Sequence, residues 1–174
     1  MLKQQKKMHI NWKRVLFVVL LFSIFVAILY SVWLYHTIQA SKTDRFDEAV
    51  KFVLQQTDME RIDDIRYFQE AEGYFILEAD DGNDDYFVFL RDDETFSINQ
   101  LYIIPKKEVL SQTAIENSLM NECQSCELVH SKPAMIDKVP LWELTYYDAS
   151  NRYVIEYKYL KNGQTYEKLK LTTK

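Results

Sequence analysis

Two spacings in this chain bring together residues able to do chemistry. The first is Cys123 and Cys126, its only cysteines, in a C-x-x-C pair. A redox pair needs the N-terminus of a helix, where the dipole lowers a thiol pKa. Here the pair follows a helical pattern over Gln112 to Asn121, which argues against that use. A zinc site would need two further ligands, and beyond residue 35 the only histidines are His36 and His130. Two readings remain: a pair of free thiols, which the placement favours, and a small structural disulfide between Cys123 and Cys126.

The second spacing is Asp80, Asp81, Gly82, Asn83, Asp84, Asp85. Calcium takes six to eight oxygens. The spacing is not that of an EF-hand loop, and no distant bidentate glutamate is evident. Asp and Gly also favour tight turns for backbone reasons, so a solvated hairpin turn is the expected role. No metal site or cofactor is assigned. The chain has no G-x-S-x-G elbow, phosphate-binding loop or H-E-x-x-H pair. No two carboxylates are singled out as a hydrolytic pair. No catalytic residue and no small-molecule substrate follow, and a non-enzymatic protein is expected.

Aromatic residues cluster at Trp142, Tyr146, Tyr147, Tyr153, Tyr157 and Tyr159. If Leu141 to Tyr147 is a strand, Trp142, Leu144 and Tyr146 share one face, with Glu143, Thr145 and Tyr147 on the other. The first set is expected in the core. Tyr147 is the better interface residue, since exposed aromatics are enriched at interfaces. Tyr147 and the acids Asp80, Asp81, Asp84 and Asp85 are the candidate interaction surface.

The elements that must position these residues are legible as periodicities. Phe46, Ala49, Val50, Val53 and Leu54 form one face of a helix over about Thr43 to Gln56. Strands are expected at Ile62 to Glu70, Tyr74 to Asp80, Tyr86 to Leu90 and Phe96 to Ile104. The Asp/Gly cluster joins the second and third as a hairpin. Pro105 to Glu108 reads as a junction. The plan then repeats. Ser111 is a plausible N-cap, and Ala114, Ile115, Leu119 and Met120 give a helical face. Strands follow at Glu127 to Lys132, Leu141 to Tyr147, Tyr153 to Leu160 and Tyr166 to Leu171, with Asn162-Gly163 as the last turn. A shift of about 65 to 67 residues sets Val50 and Leu54 on Ile115 and Leu119, Phe75 on Trp142, Asp81 on Asp148 and Tyr86 on Tyr153. The expected fold is α+β, with two tandem modules, each a helix packed on its own antiparallel sheet.

Ahead of this lies an uncharged run, Val15 to Tyr35. About 21 residues at 1.5 Å each span a hydrocarbon core of about 30 Å. It exceeds the usual h-region of a cleaved signal. The leader, residues 1–14, carries Lys3, Lys6, Lys7, Lys13 and Arg14 and no acid. The expected topology is a single-pass membrane protein anchored through 15–35 in the lipid bilayer, its N-terminus cytoplasmic and its C-terminal domain extracytoplasmic. The expected modules are 36–105, including a stalk helix, and 106–174. Beyond the leader, 16 of the 21 basic residues face all 26 acidic ones, a balance of −10. That argues against nucleic acid as a partner.

The paired hairpin Tyr74 to Leu90, the segment Val139-Pro140-Leu141-Trp142-Glu143-Leu144-Thr145-Tyr146-Tyr147-Asp148 and the basic leader with one anchor helix resemble a known group. The chain is similar to the TseB-like (YpmB-like) cell wall elongation regulators of Gram-positive bacteria, whose outer part is two PepSY-like, cystatin-like modules. The Cys123/Cys126 pair departs from that pattern. The resemblance implies a non-enzymatic regulator that contacts a peptidoglycan-synthesising penicillin-binding protein. The alternative it implies is a PepSY-type modulator or inhibitor of an extracytoplasmic protease.

Overall fold

A computed structural model describes residues 12–171, without the side chains of 13–15, 18 and 34–44. The leader therefore lies mostly outside the described residues, and the side chains at both ends of the Val15 to Tyr35 run are not described. Helix α1 spans Trp12–Gln56 without a break, so the helical pattern near residue 50 is the end of a longer helix. No glycine or proline interrupts those residues, which removes the two strongest helix breakers. Among the described residues no helix is long and apolar enough to cross a membrane. The described side chains from Leu16 to Trp33 include many exposed large apolar ones.

Residues 46 to 174 form a compact unit holding two four-stranded antiparallel sheets. The first contains β1 (Arg61–Gln69), β2 (Gly73–Asp80), β3 (Asp85–Arg91) and β4 (Leu101–Pro105), in that order. Helix α2 (Gln112–Glu122) precedes β5 (Glu127–Ile136), β6 (Val139–Tyr147), β7 (Tyr153–Tyr159) and β8 (Thr165–Leu171), again paired in sequence order. The fold is α+β, and its two halves repeat one topology.

The repeat extends to side chains. Asp81 accepts hydrogen bonds from the backbone N–H of Asn83 and Asp84, and Asp148 does so from Ser150 and Arg152. Both are turn-formers at equivalent hairpins. The helix register differs by one position from the sequence reading. Ala49 and Val53 are the buried pair of α1, and Leu54 is exposed. They answer to Ile115 and Leu119 of α2, the residues buried there. Ser111 caps α2, its hydroxyl accepting from the Ala114 N–H at 3.2 Å.

Each helix covers one face of its own sheet. Ala49 and Val53 pack with Phe75, Leu77, Ala79, Val88 and Leu90. Glu116 and Gln112 of α2 reach Ser131, and Glu122 reaches Lys158, all across one face of the second sheet. The opposite face of the first sheet, with Phe68, Tyr74, Ile76, Phe87 and Phe89, belongs to the core of the second module. Phe68 meets Tyr157 edge-on at 6.5 Å and Phe87 meets Trp142 at 5.8 Å. The junction at Pro105 to Glu108 separates the sheets in sequence, yet one continuous core joins them.

Two strand expectations need correction. Phe96 to Ile104 is not one strand, because a 3-10 turn occupies Ile98–Gln100 and β4 starts only at Leu101. The Gln100 side chain accepts from the Ser97 N–H and donates to Asp93, a local alternative to ladder bonding. β5 does not stop at Lys132 but continues through Pro133 to Ile136. Proline is tolerated there because β5 is an edge strand. Its hairpin to β6 turns on Asp137 and Lys138, both at positive φ (49 and 64). That is the backbone of a tight two-residue hairpin without its usual glycine.

Candidate interaction surface

The acids at the β2–β3 tip are engaged within the protein. Asp80 accepts from the Gly82 N–H at 2.6 Å and pairs with Arg61 at 3.4 Å. Asp81 takes two backbone N–H groups and the Tyr86 hydroxyl, the last at 2.8 Å. Those bonds, led by the Asp84 and Asn83 amides, hold its carboxyl below the usual range. Asp84 pairs with Lys107 at 2.5 Å. Asp85 is exposed, on the first residue of β3. Among the described residues no group of three or more His, Cys, Asp or Glu is placed to hold a metal ion. The tip is built as a turn in which Asp80 and Asp84 have cationic partners and Asp81 is held by neutral donors.

The structure joins Cys123 and Cys126 by a disulfide, with Cα atoms 5.4 Å apart. It closes the loop at the C-terminal end of α2, where the Cys123 N–H bonds the Leu119 carbonyl.

β6 is buried on both faces over most of its length. Trp142, Leu144 and Tyr146 are in the core as their alternation predicts. Glu143 and Thr145, expected beside Tyr147 on the outer face, are buried as well. The burial ends at Tyr147, which is 37% exposed. Directly opposed residues of an antiparallel pair share a face. Tyr147 lies opposite Tyr153, which lies opposite Leu171, and the next row sets Ile155 opposite Leu169. Leu169 and Leu171 are exposed, and the Tyr147 and Tyr153 rings meet edge-on at 5.5 Å. The result is an aromatic and aliphatic patch on β6–β8, ending at the edge strand β8. Sequence alternation pointed to Tyr147. Leu169 and Leu171 were hidden because their strand reads as ordinary alternation with lysine.

The core beneath this patch contains ionised groups. Glu156 is fully buried and accepts from Tyr146 Oη at 2.6 Å, Thr165 Oγ1 at 2.8 Å and Lys168 Nζ at 2.8 Å. Burial pushes its pKa up, but those donors, led by Lys168, outweigh it and leave it lowered. Burial, with the bond to Glu156, pushes the Tyr146 phenol up to about 12. Glu143 takes Tyr157 Oη at 3.1 Å, Lys132 Nζ at 2.9 Å and His130 Nε2 at 3.3 Å. Every buried side-chain polar atom among the described residues has a partner. Satisfied groups of this kind order a core.

A YpmB protein from Bacillus subtilis has this fold. Its solved structure superposes with a TM-score of 0.65 at 20% identity, covering 72% of this chain and 96% of that one. At that identity the likeness establishes a shared fold and nothing finer. No protein-family model matches the sequence, and no curated protein matches it.

Proposed function

We propose that this chain is a TseB-like, membrane-anchored extracytoplasmic binding protein of cell wall elongation, built from two PepSY-like modules. Its partner in this reading is a membrane-bound penicillin-binding protein, and it has no catalytic activity of its own. The observation that carries the binding role is the apolar patch of Tyr147, Tyr153, Ile155, Leu169 and Leu171, set side by side across β6, β7 and β8. Exposed apolar patches beside polar surroundings mark interaction sites. The uncharged Val15 to Tyr35 run supports the anchor, and the lysines before it support a cytoplasmic N-terminus. Anchoring two proteins in one membrane raises their effective concentration, so a modest patch suffices. The choice of a penicillin-binding protein rests on the family resemblance in the sequence.

The test places a photo-crosslinking residue at Tyr147 or Leu169 in intact cells and identifies the adduct by mass spectrometry. The reading expects an elongation transpeptidase, with the adduct lost when Leu171 is changed to Asp. An adduct with a membrane protease instead would favour the protease-modulator reading, in which the open β8 edge adds a strand to the enzyme. No adduct at either position would sink the binding role of this patch.

A further inference from the structure

A second surface lies on the first sheet, away from the β6–β8 patch. Helix α1 ends at Gln56 and leaves the β4 side of that sheet face uncovered. A groove of about 370 Å³ occupies the space. Leu101 and Ile103 of β4 give it an apolar floor, and its lining also includes Thr57, Asp58, Ile98 and Asp81. The register sets Ile103 opposite Val88 and Leu101 opposite Leu90, so the floor continues the apolar face that α1 buries elsewhere. Ile98 is 57% exposed and Ile103 is 41% exposed. The lining holds two carboxylates, Asp58 and Asp81, and no lysine or arginine. Asp81 is fixed in place by the Asn83 and Asp84 amides and the Tyr86 hydroxyl. β4 is the edge of its sheet, and an edge strand offers unpaired backbone N–H and C=O groups.

We infer that this groove binds an extended protein segment in which a lysine or arginine sits between aliphatic residues. Aliphatic side chains would cover Ile98, Leu101 and Ile103, and the cation would lie against Asp58 and Asp81. An apolar small molecule would strip water from those carboxylates without replacing it. An acidic segment would meet like charge, and a second copy of this chain would bring the same two acids to the contact. Edge backbone groups supply the sequence-independent part of such binding, as in strand addition. The groove lies on the first sheet and the Tyr147 patch on the second, so either stands without the other.

The test uses the full chain in phosphatidylcholine nanodiscs and a short fluorescent peptide alternating isoleucine with lysine. Its control carries glutamate in place of lysine. Fluorescence anisotropy is expected to show saturable binding of the lysine peptide, at least about tenfold tighter than the control. Asp58→Lys should weaken it by about fivefold, in the range of an exposed ion pair. Ile103→Ser should weaken it by about three- to tenfold through lost apolar contact. Both side chains are exposed, so the fold should survive, and circular dichroism checks this. Tyr147→Asp should leave binding unchanged, which separates this groove from the patch. Equal affinity for the two peptides, or binding insensitive to both groove variants, would overturn the inference. So would an absence of saturable binding. Self-association lost in Ile103→Ser, with no peptide bound, would assign the groove to a second copy and also overturn it.

Discussion

Lys158 should be less costly to remove than the residue that answers it. Its side chain is 1% exposed, and its ammonium donates to both oxygens of Glu122, at 2.7 and 2.9 Å. The next carboxylate, Glu156, is 3.9 Å away and is already occupied by Lys168, Tyr146 and Thr165. Glu122→Ala therefore strands a buried cation. Breaking a fully buried pair from one side costs about 3–5 kcal/mol. Glu122 is half exposed, so water and Glu156 reduce that to about 2 kcal/mol. Lys158→Met removes the charge, keeps most of the packed volume and leaves Glu122 to solvent. Its cost should stay below about 1 kcal/mol. The double variant should match Lys158→Met alone, a coupling of about 2 kcal/mol. Urea unfolding of the 46–174 unit, read by the fluorescence of its only tryptophan, Trp142, measures all three. The reasoning is refuted if Lys158→Met costs more than Glu122→Ala, or if the two losses simply add.

Glu156→Gln should weaken the domain at neutral pH and flatten its acid sensitivity. A carboxylate with a lowered folded pKa contributes stability above its unfolded value of about 4.3, and that stability is lost as pH falls through the folded value. Urea midpoints of wild type and variant should differ at neutral pH and converge at pH values below that range. Replacing Cys123 and Cys126 by serine should cost about 2 kcal/mol by the loop-entropy relation for so short a loop. A matching loss on adding a dithiol, with no free thiol titratable beforehand, checks the bond. Gly163→Ala should cost about 1–3 kcal/mol, since φ is 71 there and the new Cβ would come within 2.9 Å of Leu110 and 3.2 Å of Ile115. Thermal unfolding measures it, and an unchanged midpoint would mean the β7–β8 turn relaxes freely.

Most of the elements were legible because they rest on local rules. The Asp/Gly cluster made its hairpin, Ser111 made its cap, and Trp142, Leu144 and Tyr146 went inside as their alternation required. The misreadings had local causes of another kind. The turn at Asp137 and Lys138 hides because neither residue is a glycine, and β5 runs through a proline that an edge position permits. The Gln100 side chain takes up the Ser97 backbone N–H and so diverts it from a ladder that the apolar Phe96 and Ile98 promised.

The sequence by itself determined the α+β repeat, the uncharged run near its start and the acidic balance of the rest. Those depend on spacing and composition, which the chain carries wherever it folds. Only the tertiary structure decided that the first sheet gives its second face to the other module, and this drew Tyr74, Ile76, Phe87 and Phe89 into a shared core. The same packing buried Glu143, Glu156 and Lys158, residues that any composition rule would leave in water. It also decided where cover runs out, at Tyr147, Leu169 and Leu171 on one sheet and at Ile98 and Ile103 on the other. Exposure at those positions follows from which element stops short above them, and no periodicity along the chain records that.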